Sequence, residues 1–185
     1  MAILDATAEL LLEHSLAGAS MDAVAERAGV SKATIYRWWP TKEALALEAL
    51  HRSWADLAPR PDAGSLRGDM KALLLPWVRR LRARPYGPLL AALITEARSD
   101  PAFGEQYRAH FVEPRRQVGR EVLARAVARG EISANTDPEM ALDLFYGPIY
   151  HRLLHGHAPL SDRFVADLVD AVLGGLQPQA AARSR

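Results

Sequence analysis

An all-α fold follows from three features of the chain: helical periodicity dominates, alanine and leucine are abundant, and no segment alternates apolar and polar residues well enough for a strand. With 185 residues, 49% of them apolar, the chain can form one large or two small domains, each with its own core.

Each element has a local cause. The first helix is expected over residues 2–16, with Ile3, Thr7, Leu10 and Leu11 on one face and Gly18 beyond it as a stop. A second starts after Ser20 as N-cap. It carries Asp22 in its first turn, spaces Met21, Val24, Ala25 and Ala28 at i, i+3, i+4 and i+7, and stops at Gly29. Ser31 caps a short third helix, about 32–38, and Pro40-Thr41 restarts the chain as a fourth running to about Leu57. Residues 58–64, Ala-Pro-Arg-Pro-Asp-Ala-Gly, are the clearest break and place a boundary nearby. A helix over 65–84 follows, with a kink or split expected at Pro76, then one over 88–98. Ser99-Asp100-Pro101 opens a long helix, about 101–129, with Pro114 inside it and Gly130 closing it. Asp137-Pro138-Glu139 starts the next, to about His155 despite Gly147-Pro148, and a last helix covers 161–174. The polar, small residues from Gln177 read as a disordered tail, 179–185 in particular.

Composition removes several classes of function. There is no cysteine, which excludes disulfides, thiolate metal sites and cysteine nucleophiles and makes a reducing cytoplasm the natural compartment. The N-terminus, Met-Ala-Ile-Leu-Asp-Ala, lacks the basic flank and apolar run of a signal peptide, and no 18-residue apolar stretch exists to span a membrane. The net charge of +1 is uneven. Residues 1–50 hold four basic groups against seven acidic ones, net −3, leaving +4 for the rest. A general basic footprint for nucleic acid is therefore missing, and any such role must rest on where single cations sit.

Their placement is informative. The chain has three lysines (Lys32, Lys42, Lys71) among 23 basic residues, and two of the three directly follow a Ser or Thr that reads as a helix cap. A lysine in a first turn opposes the helix macrodipole at a cost of a few tenths to about 1 kcal/mol. An anion bound there would remove that conflict. Residues 20–42 spell two short helices around a tight turn followed by a third helix start, the pattern of a helix-turn-helix. Steeply crossing helices need a small residue at the contact and positive φ in the turn, which Ala25 and Gly29 supply. Val24, Ala28, Val30, Ile35 and Trp38 or Trp39 form the apolar seam. Lys32, Ala33, Thr34, Tyr36 and Arg37 are left on the open side. Arg37 suits guanine, Thr34 a hydroxyl contact or a thymine methyl, and Ala33 close approach to the major groove, while Lys32, Tyr36 and Lys42 suit phosphates. A plain helical hairpin with solvated charges is the competing reading.

The run Ala-Gly-Val-Ser-Lys-Ala-Thr-Ile-Tyr-Arg-Trp-Trp-Pro-Thr-Lys-Glu-Ala-Leu at 28–45 resembles the signature of the TetR family of transcriptional regulators, in which a Tyr-x-x-aromatic pattern ends the recognition helix and a lysine opens the next helix. The similarity covers residues 3 to about 50. It implies an N-terminal three-helix DNA-binding domain (1–50) and a larger C-terminal helical domain (51–178) that binds a ligand and dimerises. It further implies that Ser20 bonds a phosphate, that Lys32 through Arg37 enter the major groove of double-stranded DNA, that Lys42 grips the backbone, and that Trp39 is core. Ser31 and Trp38 complete the DNA-facing set, with Trp38 expected to be partly packed. Family members usually carry a basic segment ahead of the first helix, whereas this chain starts almost at that helix.

In the C-terminal part, Met140, Leu144, Gly147 and Ile149, with Phe164, Leu168, Val172 and Leu176, offer faces for a homodimeric four-helix bundle. Trp77, Leu81, Tyr86, Tyr107, Phe111, Phe145 and Tyr150, on helices splayed by Pro76 and Pro114, are expected to line a cavity for an apolar or aromatic small-molecule inducer. As ordinary core residues they would serve packing alone. An enzyme would need a reactive constellation. His151, His155 and His157 come nearest to a metal set, yet lack the Glu of a metalloprotease helix, so neither catalysis nor a cofactor is expected. The alternative to a ligand-released repressor is a helical dimerisation or small-molecule module with weak or no specific DNA binding.

Overall fold

The computed structural model describes residues 2–55, 61–83 and 86–176, and every regular element among them is helical. In chain order these are α1 (Ala2–Gly18), α2 (Met21–Ala28), α3 (Lys32–Tyr36), α4 (Lys42–Ala55), α5 (Leu66–Arg82), α6 (Tyr86–Ser99), α7 (Pro101–Tyr107), a π-helical turn (Arg108–Val112), α8 (Glu113–Ala128), α9 (Pro138–His155) and α10 (Asp162–Leu176). The expected tail and the far end of the fourth helix lie outside the described residues. None of the described helices is long and apolar enough to cross a membrane.

The chain divides into two compact units, one within residues 1–58 and 80–115, the other within 59–79 and 116–185. In the first, α1 is the hub and packs on α2, α4 and α6. Leu10, Leu11, Ile35, Leu45, Leu50, Leu89, Leu90 and Leu93 are buried there, each contributing roughly 1.5–3 kcal/mol by leaving water. Thr7, expected on the apolar face of α1, is buried because its hydroxyl donates to the Ile3 carbonyl at 2.7 Å. Gly104 lets α7 lie against the end of α6: a Cβ there would stand 2.4 Å from the Ala97 carbonyl oxygen.

The second unit buries Leu66, Met70, Leu74, Val122, Leu142, Phe145, Ile149, Val165 and Val169. Asp69, wholly buried, accepts the Ala63 N–H at 2.6 Å and has the Arg129 and Arg125 guanidinium groups at 3.5 and 3.7 Å, so its charge is compensated. Glu139 accepts from Arg120 at 2.5 Å and from Arg116 at 2.8 and 2.5 Å, and these bonds hold its carboxyl at about 2.

Two elements differ from the sequence expectation, for reasons that involve proline. The helix expected over 101–129 is interrupted: Glu113 N–H bonds the Arg108 carbonyl five residues back, which widens one turn just before Pro114. Proline supplies no N–H and crowds the carbonyl four residues earlier, and the slipped register relieves that conflict. At Pro76 the opposite holds. α5 is not split, and α9 likewise continues through Pro148. Buried neighbours on the same helices, among them Leu74 and Val78, Phe145 and Ile149, hold these turns against the loss of one backbone bond.

Candidate nucleic-acid interface

The residues of 20–42 build a short helical hairpin with both starts capped. Ser20 Oγ accepts the Ala23 N–H at 3.1 Å and Ser31 Oγ the Thr34 N–H at 3.2 Å, while Thr41 Oγ1 accepts the Ala44 N–H at 3.1 Å at the start of α4. Between α2 and α3, Gly29 sits at φ +66. Gly29 N–H bonds the Glu26 carbonyl and Val30 N–H the Ala25 carbonyl, a Schellman closure that ends α2 and redirects the chain within three residues. Val24, Ala25 and Ile35 close the seam as buried residues, with Ala28 and Val30 half-buried. The bidentate Arg27–Glu13 bond, both contacts 2.8 Å, ties α2 to α1 and keeps Glu13 below and Arg27 above their ordinary pKa values.

On the open side, Ser31, Lys32, Ala33, Thr34, Tyr36, Arg37 and Trp38 are all exposed. α3 is shorter than expected, ending at Tyr36, but backbone bonds from Arg37 to Ala33 and from Trp38 and Trp39 to Ile35 carry the turn on. Trp38 departs from the expectation of partial packing: it is 67% exposed, with the Arg37 guanidinium 5.8 Å from its ring centroid. Trp39 is half-buried and not core, because its indole N–H donates to Glu48 at 2.6 Å at a place still open to water. Lys42 is half-buried at the start of α4, its Nζ 4.0 Å from Glu43.

One partner went unanticipated. Lys32 Nζ forms an ion pair with Asp22 in the first turn of α2. The ten-residue separation crosses the turn and matches no helical spacing rule, so only the acid's position at a helix start hinted at it. Arg27 is likewise held by Glu13. Among the four cations of residues 1–50, Arg37 alone has no carboxylate partner among the described residues.

The aromatic residues expected around a ligand fall into two sets. In the second unit, Trp77 is buried edge-on to Tyr146 and Tyr150, with centroids at 5.6 and 5.3 Å, and Phe145 is buried as well. In the first unit, Tyr107 stacks on Phe111 at 5.3 Å, Arg115 lies 3.9 Å from the Phe111 centroid, Arg80 lies 3.8 Å from that of Tyr86, and Leu81 is buried. The His151 ring lies 4.6 Å from that of His155 and 4.8 Å from that of His157, yet among the described residues no group of three or more His, Cys, Asp or Glu is set to hold a metal. On α9, Met140, Leu144 and Leu154 are exposed, whereas Ile149, expected on the same face, is fully buried.

A short helix presented between two capped helix starts, its outer face hydroxylic, cationic and aromatic, defines a DNA reader of the helix-turn-helix class. Comparison with known proteins agrees. Residues 3–49 match the family described as "Bacterial regulatory proteins, tetR family", and residues 60–172 match "Tetracyclin repressor-like, C-terminal domain". The chain is 38% identical over 183 residues to the uncharacterized HTH-type transcriptional regulator YdeS of Bacillus subtilis, covering 99% of this chain and 92% of that one. It is 35% identical to the DNA-binding transcriptional repressor TetR of Mycobacteroides abscessus, over 93% and 90% of the two chains. A crystal structure of the TetR family transcription regulator SCO0332 superposes with a TM-score of 0.84 at 36% identity, covering 95% of this chain and 97% of that one. The chain belongs to the TetR family and is a DNA-binding transcriptional regulator.

Proposed function

We propose that the protein is a cytoplasmic, ligand-released homodimeric repressor that reads a palindromic operator through the exposed face of α3. The observation that carries this is the outward set Lys32, Ala33, Thr34, Tyr36 and Arg37, flanked by the capped starts at Ser20 and Thr41. In this reading Arg37 and Thr34 contact bases; Ser20, Ser31, Lys32, Tyr36 and Lys42 contact phosphates, and Trp38 lies along the sugar-phosphate backbone. Residues 1–50 read DNA, and residues 51–178 bind the inducer and dimerise. The exposed Met140, Leu144 and Leu154 on α9 support the dimer face, since large apolar side chains on one helix call for a cover. The inducer is an unidentified apolar or aromatic small molecule, and either aromatic set, around Trp77 or around Phe111, is a candidate contact. No catalytic step is required, and no cofactor.

Selection of binding sites from random duplexes, followed by titration at low and moderate salt, tests the reading. The expected product is a two-fold symmetric site with half-sites about one helical turn, roughly 34–36 Å, apart. Absence of any sequence preference at both salt concentrations refutes it. That outcome would favour the second reading, a helical dimerisation or small-molecule module with weak DNA binding, which the carboxylate partners of Arg27 and Lys32 support.

A further inference from the structure

Beside the end of α3, within the first unit, lies a partly open cavity of about 370 Å³, inside the roughly 300–1,000 Å³ range of small-ligand sites. Trp38 and Trp39 meet it on one side, Glu48 and His51 on α4 on another, and Gln106 of α7 with His110 of the π turn on a third. Its polar groups are arranged for a particular charge. The indole N–H of Trp39 bonds one oxygen of Glu48 at 2.6 Å, which fixes both ring and carboxylate and leaves the second oxygen as an acceptor. Among the described residues Glu48 has no cationic partner, and no arginine or lysine lines the cavity. His51 and His110 stand edge-on, their centroids 6.4 Å apart. Trp38 stays 67% exposed at the cavity, although an indole gains more than most side chains by being covered. A π turn forms part of the wall, and such turns recur at ligand sites.

We propose that this cavity binds a flat aromatic cation of one or two rings, an amidine or aryl-ammonium group pairing with Glu48 while the ring stacks against Trp38. The indole face attracts cations, the carboxylate supplies the counter-charge, and the imidazole edges and Gln106 offer further polar contacts to the ring substituents. This site is separate from the two aromatic sets named above; it shares Trp38 with the proposed DNA face, and its occupancy is measured on the free protein, without DNA.

Calorimetric titration of the full chain with para-aminobenzamidine and with its anionic counterpart para-aminobenzoate provides the test. The amidine is expected to bind once per chain with a Kd below about 1 mM, and the benzoate at least about tenfold more weakly. Glu48→Gln retains an acceptor for the Trp39 N–H but loses the charge; it should weaken amidine binding about tenfold and bring the two probes level. His110→Glu, at an exposed position beside His51, should tighten amidine binding severalfold, and this gain decides the matter if Glu48→Gln fails to fold. Absence of amidine binding at about 1 mM, equal binding of both probes to the unmodified chain, an unchanged preference in a folded Glu48→Gln, or no gain in a folded His110→Glu overturns the proposal.

Discussion

Replacing Asp22 by Asn should make this protein bind DNA more tightly. Lys32 and Asp22 are 52% and 69% exposed, so their ion pair is a surface one, worth roughly 0.2–1 kcal/mol. A phosphate that recruits Lys32 must first displace that carboxylate. It must also tolerate a negative charge near the start of α2, where a carboxylate about 10 Å from a phosphate in water adds roughly 0.4 kcal/mol of repulsion. Removing both terms yields about 1 kcal/mol, close to fivefold, per half-site, and so roughly 25-fold for a dimer seated on both half-sites. The gain should be the same for operator and scrambled duplex, since phosphate contacts carry no sequence information, and it should shrink as salt rises. Fold stability should move the other way. Asp22 complements the α2 macrodipole, a contribution of roughly 0.3–1 kcal/mol, so Tm should drop by a few degrees at most. Fluorescence anisotropy with both duplexes at two salt concentrations reads the affinity, and the change repeated in a Lys32→Ala background completes a double-mutant cycle. An unchanged or lower affinity in Asp22→Asn, or the full gain persisting without Lys32, refutes competition between Asp22 and phosphate for Lys32.

Other expectations follow from neighbouring features. Lys42→Ala should weaken binding to all duplexes about equally and lower the salt slope by about 1, measured by the same titrations; if affinity and slope both stay put, Lys42 is no phosphate contact. In Glu139 the folded-state carboxyl lies near 2, below its usual 4.5, so its contribution is present above about pH 4.5 and is lost as pH falls towards 2. Thermal melts across that window should therefore show a smaller acid-induced fall in Glu139→Gln than in the unmodified chain. Gly104→Ala should cost about 1–3 kcal/mol, seen in denaturant unfolding, because its Cβ meets the Ala97 carbonyl, a backbone atom that cannot rotate aside.

The short-range features of the fold were legible in the sequence. Ser20, Ser31, Asp100 and Asp137 cap helices where their side chains suggested, and Gly29 and Gly130 take the positive φ that ends α2 and α8. Proline marked trouble without saying which kind: whether its turn slips, as before Pro114, or continues, as at Pro76, depends on packing that lies far away along the chain. The exposed side of α3 was legible as well, since a five-residue helix with Ile35 turned inward leaves few choices for the rest. Partners across the turn were not. Asp22 with Lys32 and Glu48 with Trp39 lie ten and nine residues apart, separations with no periodic meaning, and both Trp38 and Trp39 are more exposed than expected.

The carboxylate that occupies Lys32 bears on how such a protein would find its target. A chromosome offers a vast excess of wrong sites, and a reader with many free cations would spend its time bound to them. In the proposed reading phosphate would compete with Asp22 for Lys32, while Arg37, the base-reading candidate, has no carboxylate partner among the described residues. Residence on random sequence would thereby be shortened, and the search would proceed by brief encounters until contacts in the groove, absent elsewhere, hold the complex in place.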